Sequence, residues 1–252
     1  MKFLVIGDSC LDKFIYGKCE RICPEGPVPV FVPTGATSNG GMAKNVQANI
    51  QALGVECDIV TQQNDTEKKR FVDVKTNQLL LRVDVEDRPT NFFNHREVEY
   101  DKYDAIIVSD YDKGFLEDRD IQRICLEHNN VFWDTKREIK CDLPTNLRFL
   151  KLNEYELNLN RRLKLKLGHS RSTTCRETSQ IIITHGKRGC WFAGKMYPPP
   201  ENVVAQDLSG AGDTFIAALA VSITQGNSTE GAIQFANECA CKVVAKKGVT
   251  TV

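Results

Sequence analysis

The feature that most constrains this chain is a repeated pairing of an apolar run with a polar edge. Phe3-Leu4-Val5-Ile6 stops at Gly7-Asp8, and Ala105-Ile106-Ile107-Val108 stops at Ser109-Asp110-Tyr111. Val131-Phe132-Trp133 leads into Asp134-Thr135-Lys136-Arg137, Phe149-Leu150-Lys151-Leu152 into Asn153-Glu154-Tyr155-Glu156, and Ile181-Ile182-Ile183 into Thr184-His185-Gly186. Runs this short and this apolar read as strands buried on both faces, the habit of parallel sheets. Helical spacing separates some of them, as in 116–128, so the units read as βα repeats. Such repeats predict an α/β fold of three layers, αβα, around a mostly parallel central sheet, with functional groups collected at one edge. The 252 residues and a hydrophobic content of 41% allow one large domain, here taken as 1–252.

Two stretches break the pattern. In 12–34, Phe14-Ile15-Tyr16-Gly17 and Val28-Pro29-Val30-Phe31-Val32 read as short strands around a proline-containing turn. In 66–86, Phe71-Val72-Asp73-Val74 and the run 79–85 read as a strand pair with a turn near Thr76-Asn77. Leu81, Val83 and Val85 alternate with Arg82 and Asp84, so one side of that strand is wet or faces a ligand. Both stretches are expected to form a small β flap or lid. Exposed edges at 14–16 or 79–85 would let two copies pair, so a homodimer through the lid is expected. Between them, 35–41 is rich in glycine and small residues. A helix follows, carrying Ala43, Val46, Ile50 and Leu53 and ended by Gly54.

Charge and cysteine content remove several classes of function. Lys plus Arg and Asp plus Glu stand at 33 each, which gives no reason to expect a nucleic-acid partner. The basic stretch 161–171 reads as a solvated helix face. Ten cysteines occur without a CxxC pair or the histidines a zinc site would need, so reduced thiols and a cytoplasmic location are expected. The first apolar run is too short for a signal peptide, and no stretch approaches membrane-spanning length, so no membrane partner is expected.

The chemistry centres on Asp207-Leu208-Ser209-Gly210-Ala211-Gly212-Asp213, which opens an apolar helix at 215–221. A Gly-Ala-Gly turn at a helix start presents backbone N–H groups to an anion, with the helix dipole behind them. Asp213 stands beside that cradle as a general base; the same pattern also serves as a tight turn with a capping acid. Asn153 and Glu156 would share a helix face and hold Mg²⁺ through water, or form a capping box. Gly40 and Gly41 permit close ligand approach ahead of Asn45, although Asn39-Gly40-Gly41-Met42-Ala43-Lys44-Asn45 is not a Walker A loop. Asp12 is a candidate acceptor for hydroxyls of a substrate. Lys69, Arg70 and Arg82 are candidates for a substrate phosphate, and Asn237 is a pocket residue or surface polarity.

Together these residues resemble the ribokinase-like, or phosphofructokinase-B, family of carbohydrate kinases. The segment 207–213 resembles the family's carboxyl-terminal signature, Gly40-Gly41 with Asn45 its amino-terminal one, Asn153 and Glu156 its Asn-x-x-Glu, and Thr184, Gly186 and Gly189 the stretch beside its nucleotide. The resemblance implies a ribokinase-like fold with ATP and Mg²⁺ as cofactors. It implies Asp213 as base, the backbone of Gly210, Ala211 and Gly212 as anion hole, and Asp12, Gly40, Gly41 and Asn45 on the sugar. It further implies Asn153, Glu156, Thr184, Gly186, Gly189 and Asn237 on the nucleotide side. Within the family, Gly7-Asp8-Ser9-Cys10-Leu11-Asp12, Asn77-Gln78-Leu79-Leu80-Leu81-Arg82-Val83-Asp84, Ser109-Asp110-Tyr111-Asp112-Lys113-Gly114, Asp134-Thr135-Lys136 and Lys247-Gly248-Val249-Thr250-Thr251-Val252 are most similar to the kinase domain of the bacterial heptose enzymes. That likeness implies phosphorylation of O1 of D-glycero-β-D-manno-heptose 7-phosphate, en route to ADP-heptose, with Arg82, Lys136, Lys69 or Arg137 on the substrate phosphate. The alternatives are a kinase for another sugar or nucleoside, or a trimmed sugar- or nucleotide-binding protein. The chain is shorter than is usual for such domains, with material expected to be missing after Val60 and around 158–180. No adenylyltransferase segment follows, so only the kinase step is expected of it.

Overall fold

The computed structural model describes residues 1–63, 66–85, 89–169, 179–200, 203–246 and 248–252. Eight strands form one sheet: β1 (Lys2–Gly7), β4 (Glu56–Val60), β7 (Ala105–Asp110), β8 (Val131–Thr135), β9 (Leu147–Asn153), β10 (Ile181–Thr184), β11 (Cys190–Phe192) and β12 (Lys195–Tyr197). Their order is β12-β11-β10-β9-β8-β7-β1-β4. From β10 to β4 every pairing is parallel; β11 and β12 close the sheet as an antiparallel hairpin. The chain leaves β1 for β4 on one side and β7 on the other. The carboxyl ends of β1 and β7 are therefore a topological switch point, where crevices open in sheets of this kind.

Side-chain alternation explains the three layers. Phe3, Val5, Ala105, Ile107, Phe132, Phe149 and Ile182 pack beneath α1 (Ala43–Ala52), α5 (Ala211–Thr224) and α6 (Thr229–Val244). Leu4, Ile6, Ile106, Val108, Trp133, Leu150 and Leu152 pack on the other face, with Ile121, Ile124 and Cys125 of α2 (Asp118–Glu127) and Leu157 of α3 (Glu154–Leu159). Helix α5 is buried at every position from Asp213 through Ile223. An apolar helix with no wet face must lie inside the protein, and it does, between α1 and α6. Burying its Phe215, Ile216 and Leu219 is worth about 1.5–3 kcal/mol each. Its amino terminus is thereby fixed over the switch point.

A second sheet holds β2 (Ser9–Ile22), β3 (Pro29–Met42), β5 (Thr66–Asp73) and β6 (Leu79–Val85) in the order β3-β2-β5-β6. The strands are longer than the short runs expected within 12–34. The small-residue stretch 35–41, which carries no strand signal in the sequence, is part of β3, paired with β2 from Ser9↔Met42 outward. The sequence signal was weak because β3 is largely exposed and has little apolar alternation to show. The edge expected at 14–16 is instead interior, because β2 pairs with β3 on one side and runs parallel to β5 on the other. The 79–85 strand is an edge, as expected. Of the segments read from sequence, residue 86 of the lid, part of the basic stretch (its Arg171 included) and Lys247 of the tail lie outside the described residues; α4 (Arg161–His169) carries the rest of the basic stretch. Among the described residues no helix is long and apolar enough to cross a membrane.

One polar knot ties the strand ends together. Arg137 donates from Nε and Nη2 to the two oxygens of Asp110, at 2.6 and 2.8 Å, from Nη1 to Asp118 at 2.9 Å, and from Nη2 to the Leu116 carbonyl at 2.9 Å. Thr135 donates to the same Asp110 at 2.7 Å. This fixes β7, β8 and the start of α2 relative to one another. Removing one member of a buried pair leaves the other charge uncompensated, so Arg137→Met is expected to lower unfolding stability by about 3–5 kcal/mol in urea titration. A loss under about 1 kcal/mol would show the knot to be dispensable.

Candidate active site

The site is assembled where α5 points at the switch point. Gly210 is the N-cap of α5 at φ 81°, a left-handed conformation that glycine adopts without strain. A Cβ there would lie 2.7 Å from the Asn45 side-chain nitrogen. The N–H groups of Gly212 and Asp213 fall in the first turn, with no i−4 carbonyl inside the helix to take them. They and the helix dipole make this end a receptor for negative charge.

Asp213 sits in that turn, 4% exposed, with both carboxylate oxygens held. Asn45 on α1 donates to Oδ2 at 2.9 Å, and the Tyr111 hydroxyl donates to Oδ1 at 2.7 Å. A second pair braces the same helices, because Thr214 donates to Asn49 Oδ1 at 3.1 Å and Asn49 donates to the Asn45 carbonyl at 2.9 Å. Burial raises the Asp213 pKa above the ordinary carboxylate value, opposed by the Asn45 and Tyr111 hydrogen bonds. Tyr111 is itself held by the loop after β7. Asp8 organises that loop by accepting N–H bonds from Tyr111 at 2.8 Å, Lys113 at 3.3 Å and Phe115 at 3.4 Å.

Below the helix start lies a chain of alternating charge. Lys151 is 2% exposed and donates to both oxygens of Asp134, at 2.8 and 2.9 Å; a Cβ on Gly212 would lie 3.0 Å from its ammonium. Lys136 reaches Glu156 at 2.5 Å and Asp134 at 3.6 Å. Burial opposes ionisation of Asp134, but the two ammonium groups outweigh it and lower its pKa. Burial likewise opposes the Lys136 charge, yet Asp134 and Glu156 hold its pKa above the usual lysine range. Lys151, at one end of this chain, lies against Gly212, and the Lys136 ammonium acts on Asp213 electrostatically.

Asn153 and Glu156 form a reciprocal capping box at the start of α3. Asn153 accepts from the Glu156 N–H at 2.9 Å, while Glu156 accepts from the Asn153 N–H at 2.6 Å and its side-chain amide at 2.7 Å. Glu156 is 1% exposed, and Asn153 is partly exposed at the mouth. Among the described residues no cluster of three or more acidic, histidine or cysteine side chains could cage a metal.

From the start of α5 a groove of about 400 Å³ runs between α6 and the β10–β12 hairpin, lined by Gly186, Pro200, Ala205, Leu208, Asn237 and Val244. Asn237 donates to the Tyr197 carbonyl at 3.1 Å, and Thr184 donates to the Leu152 carbonyl at 3.3 Å. Gly189 turns the chain beside Tyr197. On the opposite side of Asp213 stand Asp12 and Gly41, where a Cβ on Gly41 would fall 2.1 Å from Asp12 Oδ2. Gly40 faces away, toward Lys44.

The structure therefore brings Asn45, Gly210, Ala211, Gly212 and Asp213 together at the start of α5, joins Lys136, Asn153 and Glu156 in the charge chain, and sets Asp12 against Gly41; Gly186 and Asn237 line the groove, with Thr184 and Gly189 in the strand and turn beside it. Arg82 lies on the lid, paired with Asp84. Lys69 is turned to Glu67 on the outer lid face, and Arg137 is spent on the Asp110 knot. Sequence reading missed Tyr111, Asn49, Asp134 and Lys151. A lysine within an otherwise apolar strand was the available signal for Lys151; nothing local marked Tyr111.

Known proteins resemble this chain in sequence and in fold. Residues 120–252 match the profile described as pfkB family carbohydrate kinase. The bifunctional protein HldE of Helicobacter pylori is 30% identical over 294 aligned positions, covering 98% of this chain, and its counterpart from Yersinia pseudotuberculosis is 29% identical, covering 99%. The chain spans 63% and 61% of the length of these two relatives. The Helicobacter alignment is longer than the chain, so the relative carries inserted segments. Among solved structures, ribokinase from Thermotoga maritima superposes with a TM-score of 0.69 at 17% identity, over 99% of this chain and 94% of its own. Phosphofructokinase-2 from Escherichia coli gives 0.70 at 13%, over 98% and 93%. The fold is thus the three-layer ribokinase-like one. The chain belongs to the pfkB family of carbohydrate kinases.

The hydrogen bonds to Asp213 make a measurable claim. Tyr111→Phe deletes a donor that favours the ionised carboxylate. The Asp213 pKa is therefore expected to rise further, seen by carbon-13 NMR titration of labelled aspartate. An unmoved or lowered pKa would contradict the geometry.

Proposed function

We propose that this chain transfers the γ-phosphoryl of ATP to a hydroxyl of a sugar phosphate, with O1 of D-glycero-β-D-manno-heptose 7-phosphate as the first candidate acceptor. The observation that carries this is the held carboxylate of Asp213 beside the open first turn of α5. One group removes a proton while the other receives negative charge, which is what phosphoryl transfer asks of a protein.

The acceptor would lie between Asp12, Gly41 and Asn45, with its reacting hydroxyl toward Asp213. Asp213 takes the hydroxyl proton as the oxygen attacks the γ-phosphorus. The new O–P bond forms as the bond to the β,γ-bridging oxygen breaks, and ADP leaves with the electron pair. The backbone N–H groups of Gly212 and Asp213, behind the Gly210 turn and Ala211, stabilise charge on the transferred group. The Lys151–Asp134–Lys136 chain supplies a positive floor that needs no rearrangement during reaction. The nucleotide would occupy the groove past Gly186 and Asn237, with Thr184 and Gly189 shaping its wall.

Mg²⁺ fits this site in one form. Asn153 and Glu156 use their polar atoms on each other, which suits an ion that rides on nucleotide phosphates and keeps its water shell. Those two residues would meet it through water, and it would supply charge neutralisation between the β- and γ-phosphates. ATP as donor places the work in the cytoplasm.

The lid also offers a route to a homodimer. On β6, the edge strand, Leu81 and Val83 are 55% and 37% exposed, on the side away from Asp213, where Phe31 and Phe71 pack edge to face. Pairing of two such faces would cover them. A monomeric mass by light scattering at micromolar concentration would remove the dimer from this reading.

The decisive variant is Asp213→Asn. Turnover on a panel of sugars and sugar phosphates, read as ADP release, is expected to fall by about 10²–10⁴-fold, with affinity for a non-hydrolysable ATP analogue retained. Near-parental turnover in this variant would sink the assignment of the base. A broader panel response, favouring an unphosphorylated sugar or a nucleoside, would replace the heptose phosphate as acceptor.

A further inference from the structure

Among the described residues, the inward face of the lid carries one ammonium that no carboxylate contacts at ion-pair distance. Register places Asp12, Lys68 and Asp84 in one row across β2, β5 and β6, and Phe14, Arg70 and Arg82 in the next. These even-numbered residues share one face. It is the face toward the site, because Asp12 lies on it, 4% exposed against Gly41.

Nearly every cation in this region is matched. Arg70 pairs with Asp12, Arg82 with Asp84 at 2.6 Å, Lys136 with Glu156, and Lys151 with Asp134; on the outer face Lys13 and Lys69 share Glu67. Lys68 is the exception on the inward lid face: among the described residues it has no carboxylate within ion-pair distance. Its ammonium rests 5.2 Å from the centre of the Tyr111 ring, whose hydroxyl holds Asp213. Its side chain also meets Cys10, a thiol whose pKa burial pushes up to about 12, so no thiolate balances it. Lys136 lies against the same ring, also 5.2 Å from its centre. A partly buried ammonium held on an aromatic face, with Asp84 near it but no carboxylate in ion-pair contact, is a receptor for an anion.

We propose that Lys68, with Arg82 on the adjoining row, is the subsite that takes the phosphate or equivalent anionic group carried by the acceptor. This rests on the kinase reading above and deepens it. The side of the crevice decides between the two available sources of phosphate. The neighbours of Lys68 are Cys10, Asp84 and Tyr111, in the row of Asp12; the groove assigned to the nucleotide is built from α6 and the β10–β12 hairpin. The anion it meets is therefore the one on the acceptor rather than the phosphoryl in transit. Lys69, the neighbouring lysine in sequence, is excluded because strand alternation turns it outward to Glu67.

The test compares the unaltered protein with Lys68→Met and Lys68→Arg on heptose 7-phosphate and on the same sugar without its phosphate. In Lys68→Met the ratio of kcat/KM for the phosphorylated over the neutral sugar is expected to fall about 10- to 100-fold, the worth of one charge-assisted hydrogen bond. Lys68→Arg is expected to restore most of that ratio, and affinity for a non-hydrolysable ATP analogue is expected to stay within about twofold. Equal losses on both sugars, or a loss of nucleotide affinity without acceptor discrimination, would overturn the proposal and move Lys68 to the transferred phosphoryl. Calorimetric binding of the two sugars without ATP separates this from the kinase reading itself. Preference for the phosphorylated sugar that Lys68→Met abolishes would support the subsite even with turnover absent. No such preference in the unaltered protein would reject it.

Discussion

The structure depends on keeping one carboxylate, that of Asp213, buried at the start of a buried helix. Burial alone makes ionisation of that group costly, so the carboxylate needs donors. Asn45 supplies one from α1 and Tyr111 the other from the loop after β7. These elements flank the point where strand order reverses, so the parts of the sheet on either side must be correctly set before the acid is held. The apolar body of α5 holds its amino terminus in place, and the Arg137–Asp110 knot holds the strand ends that border it. The geometry around Asp213 is thus a consequence of core packing together with the loop after β7 that carries Tyr111.

Charge is arranged with similar economy. Lys151, Asp134, Lys136 and Glu156 form a chain in which each charge faces its opposite, so positive potential is delivered beneath the anion cradle without leaving an ammonium stranded. Glu156 illustrates a double use: its carboxylate completes the α3 capping box and pairs with Lys136 at once, so the Asn153-x-x-Glu156 pattern is a capping box tied into the charge chain. The lid departs from this economy at Lys68, which gives that residue its interest.

Much of the fold was legible because the main sheet is buried on both faces. Runs such as Ala105-Ile106-Ile107-Val108 declare themselves without help from context, and the polar residues that end them mark the functional edge. The lid was harder to read. Its strands are exposed and partly polar, so the run of β3 through Gly35 and Gly40 carried no strand signal, and the interior position of β2 depends on a parallel pairing with β5 that no local signal records. The candidate site divides along the same line. Gly210, Gly212, Asp213 and Asn45 belong to short motifs whose spacing carries meaning. Tyr111 and Lys68 acquire theirs only from long-range contacts, one with Asp213 and the other with the Tyr111 ring. Lys69 and Arg137 were plausible phosphate ligands by composition. Strand alternation removed the first and the Asp110 pair the second.

The chain holds Asp213, its two donors, the helix start and the charged floor together, the parts the proposed transfer would require. The most direct measurement is phosphorus-31 NMR of a mixture of the protein, ATP, Mg²⁺ and heptose 7-phosphate. The expected result is a new phosphoryl signal on O1 of the sugar, growing in step with ADP and lost when Asp213 is replaced by Asn. ADP appearing with inorganic phosphate alone, or sugar phosphorylation that survives Asp213→Asn undiminished, would contradict the assignment of Asp213 as the base for transfer to a sugar hydroxyl.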